Sequence, residues 1–424
     1  MTRFLLSLLI LIPLLLQSQD TLRLMHYNLL MYGNDFGGCN ASNNNVNDKN
    51  NYLRIILDYV KPDILTVNEI YKDAYFHDLI LNSVLNINGV DHFQRGYPIN
   101  TSNSFIINQV YYNSQKFEMV NYVAVQTSLR DIDVWRFAYK PSSGFLQAGF
   151  VELNCAVAHL KAGSSSSDQQ QRANETSKLM NYLNNSNANG NYSLSGDLNL
   201  YSGTEPAFQN LLYHSNPQIR FYDPINQIGS WHDNPYYAQV HTQSTHTSGT
   251  CPSGGGMDDR FDFILVSEEI LTGQEHIKYV EGSYRALGQD GQRLNASLTD
   301  PPQNTSVPGN VLNALYNLSD HLPVVMDIVI GDNLGSVSSI SSFYDISFQN
   351  PVKDQLVISV RLPGNDNLRI DIFNMIGQPM VSVSHPVETV SEIQVPVEDL
   401  APGIYFIRLQ TSDYQFLTKK LIRN

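Results

Sequence analysis

Residues 22–30 (LRLMHYNLL) form an apolar run that predicts a strand. The Asn- and Gly-rich stretch from Asn34 to Asn51 reads as a loop. Leu53, Ile56, Leu57 and Val60 then recur at helical spacing, and Lys61-Pro62-Asp63 ends that helix. Ile64 to Val67 reads as a buried strand, and Phe105 to Tyr112 and Gly149 to Ala158 as two more. Asp168 to Asn184 has helical spacing, with Ala173, Met180 and Leu183 on one face. Tyr192 to Leu194, Phe261 to Val266 and His321 to Ile330 are the remaining strands. Strands and helices alternate irregularly, with long loops between them. That pattern predicts a layered α/β sandwich rather than a purely parallel sheet, over about residues 20–331.

The pattern then changes. Residues 332–343 are Gly/Ser-rich and read as a linker. Leu356 to Val360, Leu368 to Phe373, Ile393 to Val397 and Ile404 to Leu409 alternate with period two, separated by Gly- and Pro-containing turns. This predicts a small C-terminal all-β sandwich at residues 344–424. At the other end, Arg3 precedes an apolar run from Phe4 to Leu16, too short to span a membrane comfortably. Residues 1–19 have the shape of a signal peptide, with cleavage expected near Ser18 or Gln19, and no other segment approaches spanning length.

The 424 residues carry 42% hydrophobic and 16% charged side chains, enough apolar material for a sizeable core. The net charge of −14 disfavours a tight, non-catalytic binder of nucleic acid or anionic lipid. It does not exclude an enzyme, because a divalent cation and a few local cations suffice for a phosphodiester. Of the three cysteines, Cys155 lies in an apolar run and reads as buried. Cys39 and Cys251 lie in Gly/Asn/Ser-rich loops, where pairing is open.

Five segments end an apolar run on a polar group: Tyr27-Asn28, Val67-Asn68-Glu69, Ala158-His159-Leu160, Ser195-Gly196-Asp197-Leu198-Asn199 and Ser319-Asp320-His321. Strands would deliver these carboxylates, amides and two imidazoles to one sheet rim. Such hard oxygen donors suit Mg2+ or Mn2+ better than zinc. Singly, each segment has an ordinary explanation as a turn, a cap or a solvated side chain.

Together, in this order, they resemble the endonuclease/exonuclease/phosphatase superfamily over residues 22–330. The matching segments are LRLMHYNL, PDILTVNEI, VAHLKAG, SGDLNL, DRFDFILVS and NLSDHLPVV. The resemblance implies a four-layer α/β sandwich, two central mixed sheets flanked by helices, and hydrolysis of a phosphate ester. It implies that Glu69 is the principal metal ligand, with Asn28 and Asp320, for Mg2+ or Mn2+, Ca2+ assisting. Asp197 orients or deprotonates the attacking water, and Asn199 holds phosphate or metal. His321 stabilises the transition state or protonates the leaving oxygen, Asp262 orients it, and His159 contacts the phosphate. Both imidazoles are expected to pair with carboxylates that raise their pKa. Arg136, 23 residues before His159, matches the spacing of a phosphate-contacting Arg in secreted deoxyribonucleases of the family; a strand Arg with a surface partner is the competing reading. Leu29-Leu30 stand where abasic-site repair nucleases carry an acidic residue, which argues against DNA repair. His246 is read as a solvated loop residue, with contact to substrate as the competing reading.

Asn350-Pro351, Leu400-Ala-Pro-Gly403-Ile-Tyr405 and the basic end Lys419-Lys420-Leu-Ile-Arg423 resemble the type IX secretion sorting domain of Bacteroidetes. The implied protein is a secreted or cell-surface monomer that engages the type IX machinery and has no stable membrane span. Its expected activity is that of a nuclease on extracellular nucleic acid. The alternatives are a sphingomyelinase-like or sugar-phosphate phosphodiesterase, and a non-catalytic adhesin.

Overall fold

Along the first strand, Leu22 and Leu24 face one core, and Met25, Tyr27 and Leu29 another. Successive strand side chains point to opposite faces, so a strand that is apolar on both must be covered on both. The computed structural model describes residues 19–140, 151–186, 188, 190–331, 345–361, 365–374, 378–388, 390–410 and 416–424. The expected signal peptide, apart from Gln19, and the expected linker at 332–343 lie outside these residues. The chain divides into two units, Met1–Leu334 and Gly335–Asn424.

The first unit opens with β1 (Asp20–Tyr32), α1 (Val46–Val60), β2 (Ile64–Tyr71), α2 (Ala74–Ile80), β3 (Phe93–Arg95) and β4 (Ile106–Asn113). Next come β5 (Phe117–Val125), β6 (Ile132–Tyr139), β7 (Glu152–His159), α3 (Ser166–Asn185), β8 (Tyr192–Asp197) and α4 (Pro206–Leu212). It closes with β9 (Phe221–Tyr222), β10 (Asp262–Ser267), α5 (Glu268–Thr272), β11 (Ile277–Tyr279), β12 (Arg285–Ala286), α6 (Gly309–Leu318) and β13 (Val324–Ile330). One sheet has the order β11-β13-β1-β2-β4-β3, with β12 on β13, and the other β5-β6-β7-β8-β10-β9. Both are mixed: β1–β2 and β7–β8 are parallel, and their other neighbours run antiparallel.

Three cores set the layers. Leu22, Leu24, Ile64, Val110 and Met326 of the first sheet meet Trp135, Phe137, Leu153, Cys155 and Ile264 of the second. On the first sheet's other face, Met25, Tyr27 and Leu65 pack with Leu53 and Ile56 of α1 and Val311 and Leu315 of α6. On the second sheet's other face, Ala156, Leu194 and Phe263 pack with Leu179 and Leu183 of α3 and Phe208 and Leu211 of α4. The order is helix, sheet, sheet, helix, the expected four-layer sandwich.

The short helices α2, α4 and α5 have no counterpart in the sequence reading, and the longer α1 and α6 also depart from it. α1 begins at Val46, inside the expected loop, because Asn45 accepts from the backbone N–H groups of Asn47 and Asp48 and so caps a first turn made of poor helix formers. α6 arises in a stretch that gives no start signal: its N-cap is Pro308, with no capping side chain, and it is held by its buried apolar face.

The second unit holds β14 (Asp345–Phe348), β15 (Gln355–Arg361), β16 (Asp366–Phe373), β17 (Pro379–Val387), β18 (Val390–Pro396), β19 (Gly403–Gln410) and β20 (Phe416–Arg423). They form the antiparallel sheets β14-β15-β18 and β17-β16-β19-β20. Leu356, Ile358 and Val395 of one meet Ile370, Ile372 and Ile407 of the other.

Candidate active site

Between the two sheets, each strand's inward series turns from apolar to polar toward the same end. The series are Leu22-Leu24-His26-Asn28, Ile64-Thr66-Asn68, Tyr112-Val110-Asn108, Phe137-Trp135-Asp133, Leu153-Cys155-Val157-His159 and Ile264-Asp262. Ser193, Ser195 and Asp197 share the inward face of β8, opposite Leu194. The register puts Asn28 beside Asn68, His159 beside Asp197, and Asp262 beside Asp197. All eleven polar side chains from His26 to Asp262 are buried. A buried polar group costs free energy unless it is partnered, so this end of the interlayer has to be a hydrogen-bonded site.

Glu69 enters it by a backbone irregularity. Strict alternation would point it away, but its φ is +59° and the pairing register shifts between Val67 and Ile70. Its Oε1 accepts from Asn28 Nδ2 (3.1 Å) and its Oε2 from the Met31 N–H (3.0 Å). Leu30 and Met31 also have positive φ. Lys49 holds this turn by donating to the carbonyls of Leu29 and Leu30, both at 2.6 Å. Burial pushes the Lys49 ammonium down to about 7, against the pull of Asp320 and Glu69.

Asn28 Nδ2 also donates to Asp197 Oδ2 at 3.0 Å. His159 Nε2 lies 3.5 Å from that oxygen and 3.8 Å from Glu69 Oε1. Glu69, His159 and Asp197 thus bring ligand atoms within 4.8 Å of one another. His321 faces them, its Nε2 3.7 Å from Asp197 Oδ2 and its Nδ1 2.7 Å from Asp262 Oδ2. The Asp197 backbone N–H donates to Asn68 Oδ1 (2.8 Å), and Asn199 N–H to Asp197 Oδ1 (3.0 Å). Asn199, at φ +51°, donates its side-chain amide to the Leu160 carbonyl.

Burial, with Asp262 and Glu69 close by, raises Asp197 to about 7 despite the opposing pull of His321. Burial opposes the charge on His321 too, but Asp262, Asp197 and Asp320 overcome it and hold its pKa well above the ordinary value. His159 corrects the expectation of two cationic imidazoles. Its Nδ1 is buried without a partner. Its Nε2 is near two carboxylates, yet burial, with the cations Arg130 and His321 close by, holds its pKa well below the ordinary value. The ring is neutral, and with carboxylates before Nε2 its proton belongs there.

Asp320 does not join the three-group cluster. Its Oδ2 accepts from Ser253 N–H (2.8 Å) and Gln243 Nε2 (3.4 Å), and its Oδ1 is buried without a partner. Arg136 stands apart. It alternates with Trp135 and Phe137, whose rings fill the interlayer, so it lies on the opposite face of β6, 43% exposed, 3.7 Å from Glu152. That placement favours the surface-partner reading of Arg136. Arg130, which sequence reasoning missed, donates instead to the carbonyls of His159 (2.8 Å) and Leu160 (2.7 Å). His246 is not solvated: its half-buried ring stacks on Tyr316 at 4.0 Å.

Sequence reasoning also missed His26 and Gln243. His26 Nε2 lies 3.6 Å from Asp262 Oδ1, and burial lowers its pKa to about 4. The Gln243 amide nitrogen lies 2.7 Å from His321 Nε2, so the imidazolium form of His321 requires this amide to turn over and present its oxygen. A polar residue mid-run in LRLMHYNL was the available signal for His26; Gln243 sits in a loop and gave none. Cys39 and Cys251 form a disulfide, tying the loop before α1 to the loop that carries Ser253, and Cys155 is a buried free thiol.

Residues 348–424 match the family model of the secretion system C-terminal sorting domain. The second unit is therefore a sorting domain, and the chain is a secreted or cell-surface protein. No helix of the described residues is long and apolar enough to cross a membrane. No curated protein matches significantly. Similar solved structures include an endonuclease/exonuclease/phosphatase family protein from Bacteroides thetaiotaomicron, at 13% identity and TM-score 0.46, over 76% of this chain and 99% of that one. The human Nocturnin catalytic domain with bound sulfate is similar at 16% identity and TM-score 0.45, over 73% and 97%. D. rerio TDP2 complexed with a single-strand DNA product is similar at 14% identity and TM-score 0.45, over 73% and 99%.

Proposed function

We propose that this chain is a secreted, divalent-metal-dependent phosphodiesterase, and that its substrate is the backbone of extracellular nucleic acid. The observation that carries the reading is the group of partly buried Glu69 with buried Asn28, Asp197 and His159, faced by an imidazolium that Asp262 holds in place.

The donors fit a hard cation such as Mg2+ or Mn2+. The Glu69 carboxylate would hold it, with Asp320, whose buried Oδ1 lacks a partner, as a further oxygen donor; Asn28, whose NH2 faces Glu69 and whose Oδ1 accepts from the Leu30 N–H, would join by turning its amide oxygen to the cation. When bound, the cation neutralises charge on the phosphoryl oxygens.

The remaining work belongs to the chain's own side chains. Asp197, raised to about 7, accepts a proton from water near neutral pH, and the Asn28 and Asn199 hydrogen bonds fix where its oxygens point. His321 stays protonated and presents Nε2 to the site, where it meets the negative charge that develops as the ester bond breaks. Asp262 accepts from Nδ1, which fixes the ring's orientation. Neutral His159 offers a hydrogen bond from Nε2 without adding a charge. Asn199 donates its backbone N–H to Asp197 and its side-chain amide to the Leu160 carbonyl, and the second hydrogen of that amide is the one it would offer to a phosphate.

The test is a panel of plasmid DNA, RNA, sphingomyelin and bis-p-nitrophenyl phosphate, assayed after EDTA treatment and on restoring Mg2+ or Mn2+. Cleavage of nucleic acid and of the small diester is expected. Cleavage of sphingomyelin with no action on nucleic acid would replace the substrate assignment. Inertness toward all four would favour an adhesin.

A further inference from the structure

A chain of buried hydrogen bonds crosses from one sheet to the other beside the candidate site. Tyr122 Oη donates to Asp133 Oδ1 at 2.5 Å. Asn108 Nδ2 donates to Asp133 Oδ2 at 2.9 Å. Asn68 Nδ2 donates to Asn108 Oδ1 at 2.7 Å, and the backbone N–H of Asp197 donates to Asn68 Oδ1 at 2.8 Å. Asn68 and Asn108 belong to the first sheet, Asp133 and Asp197 to the second. Asp133, Asn108, Asn68 and Asp197 are all buried.

The direction of this chain is forced. Asn108 Nδ2 faces three acceptors: Asp133 Oδ2, the Asp131 carbonyl (2.9 Å) and the Val157 carbonyl (3.1 Å). Turning the amide over would set its oxygen against three oxygens. Asn108 Oδ1 must therefore meet a donor, so Asn68 turns its NH2 toward it and its carbonyl toward Asp197. The bond to Val157 also ties the chain to β7, two residues before His159. None of the three side chains reaches the reacting groups itself.

We propose that Asp133, acting through Asn108 and Asn68, is a positioning residue that fixes the backbone of Asp197 and hence the direction of its carboxylate. This deepens the proposed function, because it rests on the reading of Asp197 as the proton acceptor. What the position requires is an acceptor facing Asn108, not a charge. The Tyr122 hydroxyl both donates and accepts, so an amide at 133 can turn its oxygen to Asn108 and its NH2 to Tyr122. Burial raises the Asp133 carboxyl to about 7, so a neutral side chain is already close to its resting state near neutral pH.

The experiment compares Asp133→Asn, Asp133→Leu and Asn108→Leu with Leu153→Ala, a buried interlayer change at the apolar end of β7. The kcat and KM for bis-p-nitrophenyl phosphate and the thermal midpoint are measured, with assays run well below the lowest midpoint. Asp133→Leu and Asn108→Leu are expected to lower kcat by about 10- to 100-fold, the usual effect of losing an orienting outer partner, with KM within about twofold. Asp133→Asn is expected to stay within about threefold of wild type in kcat. Leu153→Ala is expected to lower the midpoint at least as far while keeping kcat. If Asp133→Leu keeps wild-type kcat, or if Asp133→Asn is as damaging as Asp133→Leu, the positioning role is wrong. If Leu153→Ala loses kcat in step with its midpoint, the effect is general packing. Inertness of the wild type, or full activity of Asp197→Asn, would instead remove the reading on which the proposal rests.

Discussion

His321 donates from Nδ1 to Asp262 Oδ2 at 2.7 Å, while the other oxygen of the same carboxylate lies 3.6 Å from His26 Nε2. One buried aspartate thus sits between two imidazoles of opposite character. His321 is held cationic by Asp262, Asp197 and Asp320, and His26, with its pKa lowered to about 4 by burial, is neutral at physiological pH. Asp262→Asn removes the group that fixes His321 and favours its charge. The expected result is a fall in kcat of about 10²- to 10⁴-fold with little change in KM, because the charge matters most in the transition state. Asp262→Asn combined with His321→Ala is expected to cost little more than His321→Ala alone. Steady-state kinetics on a small phosphodiester checks both; additive losses would show that the pair does not act as a unit.

Arg130 and Arg136 separate two readings of one sequence signal. Arg130→Ala removes the donors to the His159 and Leu160 carbonyls and is expected to lower kcat/KM by about tenfold or more, since small displacements of catalytic groups are costly. Arg136→Ala removes an exposed partner of Glu152 and is expected to stay within about twofold of wild type. Equal losses in the two variants would put Arg136 back in the site.

The motifs made much of the site legible. Every strand end that the motifs single out arrives at the same end of the interlayer. What stayed hidden has physical reasons. A count of 23 residues from Arg136 to His159 measures distance along the chain, whereas the face is set by parity, and Arg136 has the parity of the outer face. Asn68 and Asn108 are inconspicuous in sequence because their importance lies in the direction of their amides, which only the three acceptors around Asn108 determine. The first turn of α1 is rich in Asn and Asp, which usually mark loops, so its start is hidden in the sequence. α6 draws its stability from burial against α1, a tertiary contact that leaves little local signal.

Asp197 also sets a stability trend in the metal-free protein. Its folded-state pKa of about 7 lies above the ordinary carboxylate value of 3.8, so the folded state binds the proton more tightly than the unfolded state. Its contribution to stability is present in full below about pH 4 and is lost as pH rises toward 7. Asp197→Asn cannot titrate and lacks this trend. Thermal midpoints in EDTA from pH 4 to pH 7.5 are expected to fall more steeply with pH, or rise less, in wild type than in Asp197→Asn. Parallel curves would mean that Asp197 ionises normally in the fold.

The Cys39–Cys251 disulfide closes a loop of 212 residues between two loops at the site. Cys39→Ser with Cys251→Ser is expected to cost about 2–5 kcal/mol, seen as a lower denaturation midpoint. The loop carrying Ser253, which holds Asp320 by a backbone hydrogen bond, is expected to exchange its amide hydrogens faster. Cys155, whose thiol burial pushes up to about 12, is expected to stay unreactive toward thiol reagents in the native protein. Unchanged stability and exchange in the double variant would leave the disulfide without a structural role.

The central claim is that Glu69 holds a divalent cation for a reaction in which Asp197 accepts the proton. The most direct measurement is kcat on bis-p-nitrophenyl phosphate as a function of Mn2+ concentration, for wild type, Glu69→Gln and Asp197→Asn, starting from EDTA-treated protein. Wild type is expected to start inactive and recover fully. Glu69→Gln is expected to recover in part, and only at raised Mn2+, while Asp197→Asn stays at least about 10²-fold below wild type at every concentration. Full wild-type turnover in excess EDTA, or wild-type turnover in both variants, would contradict the account.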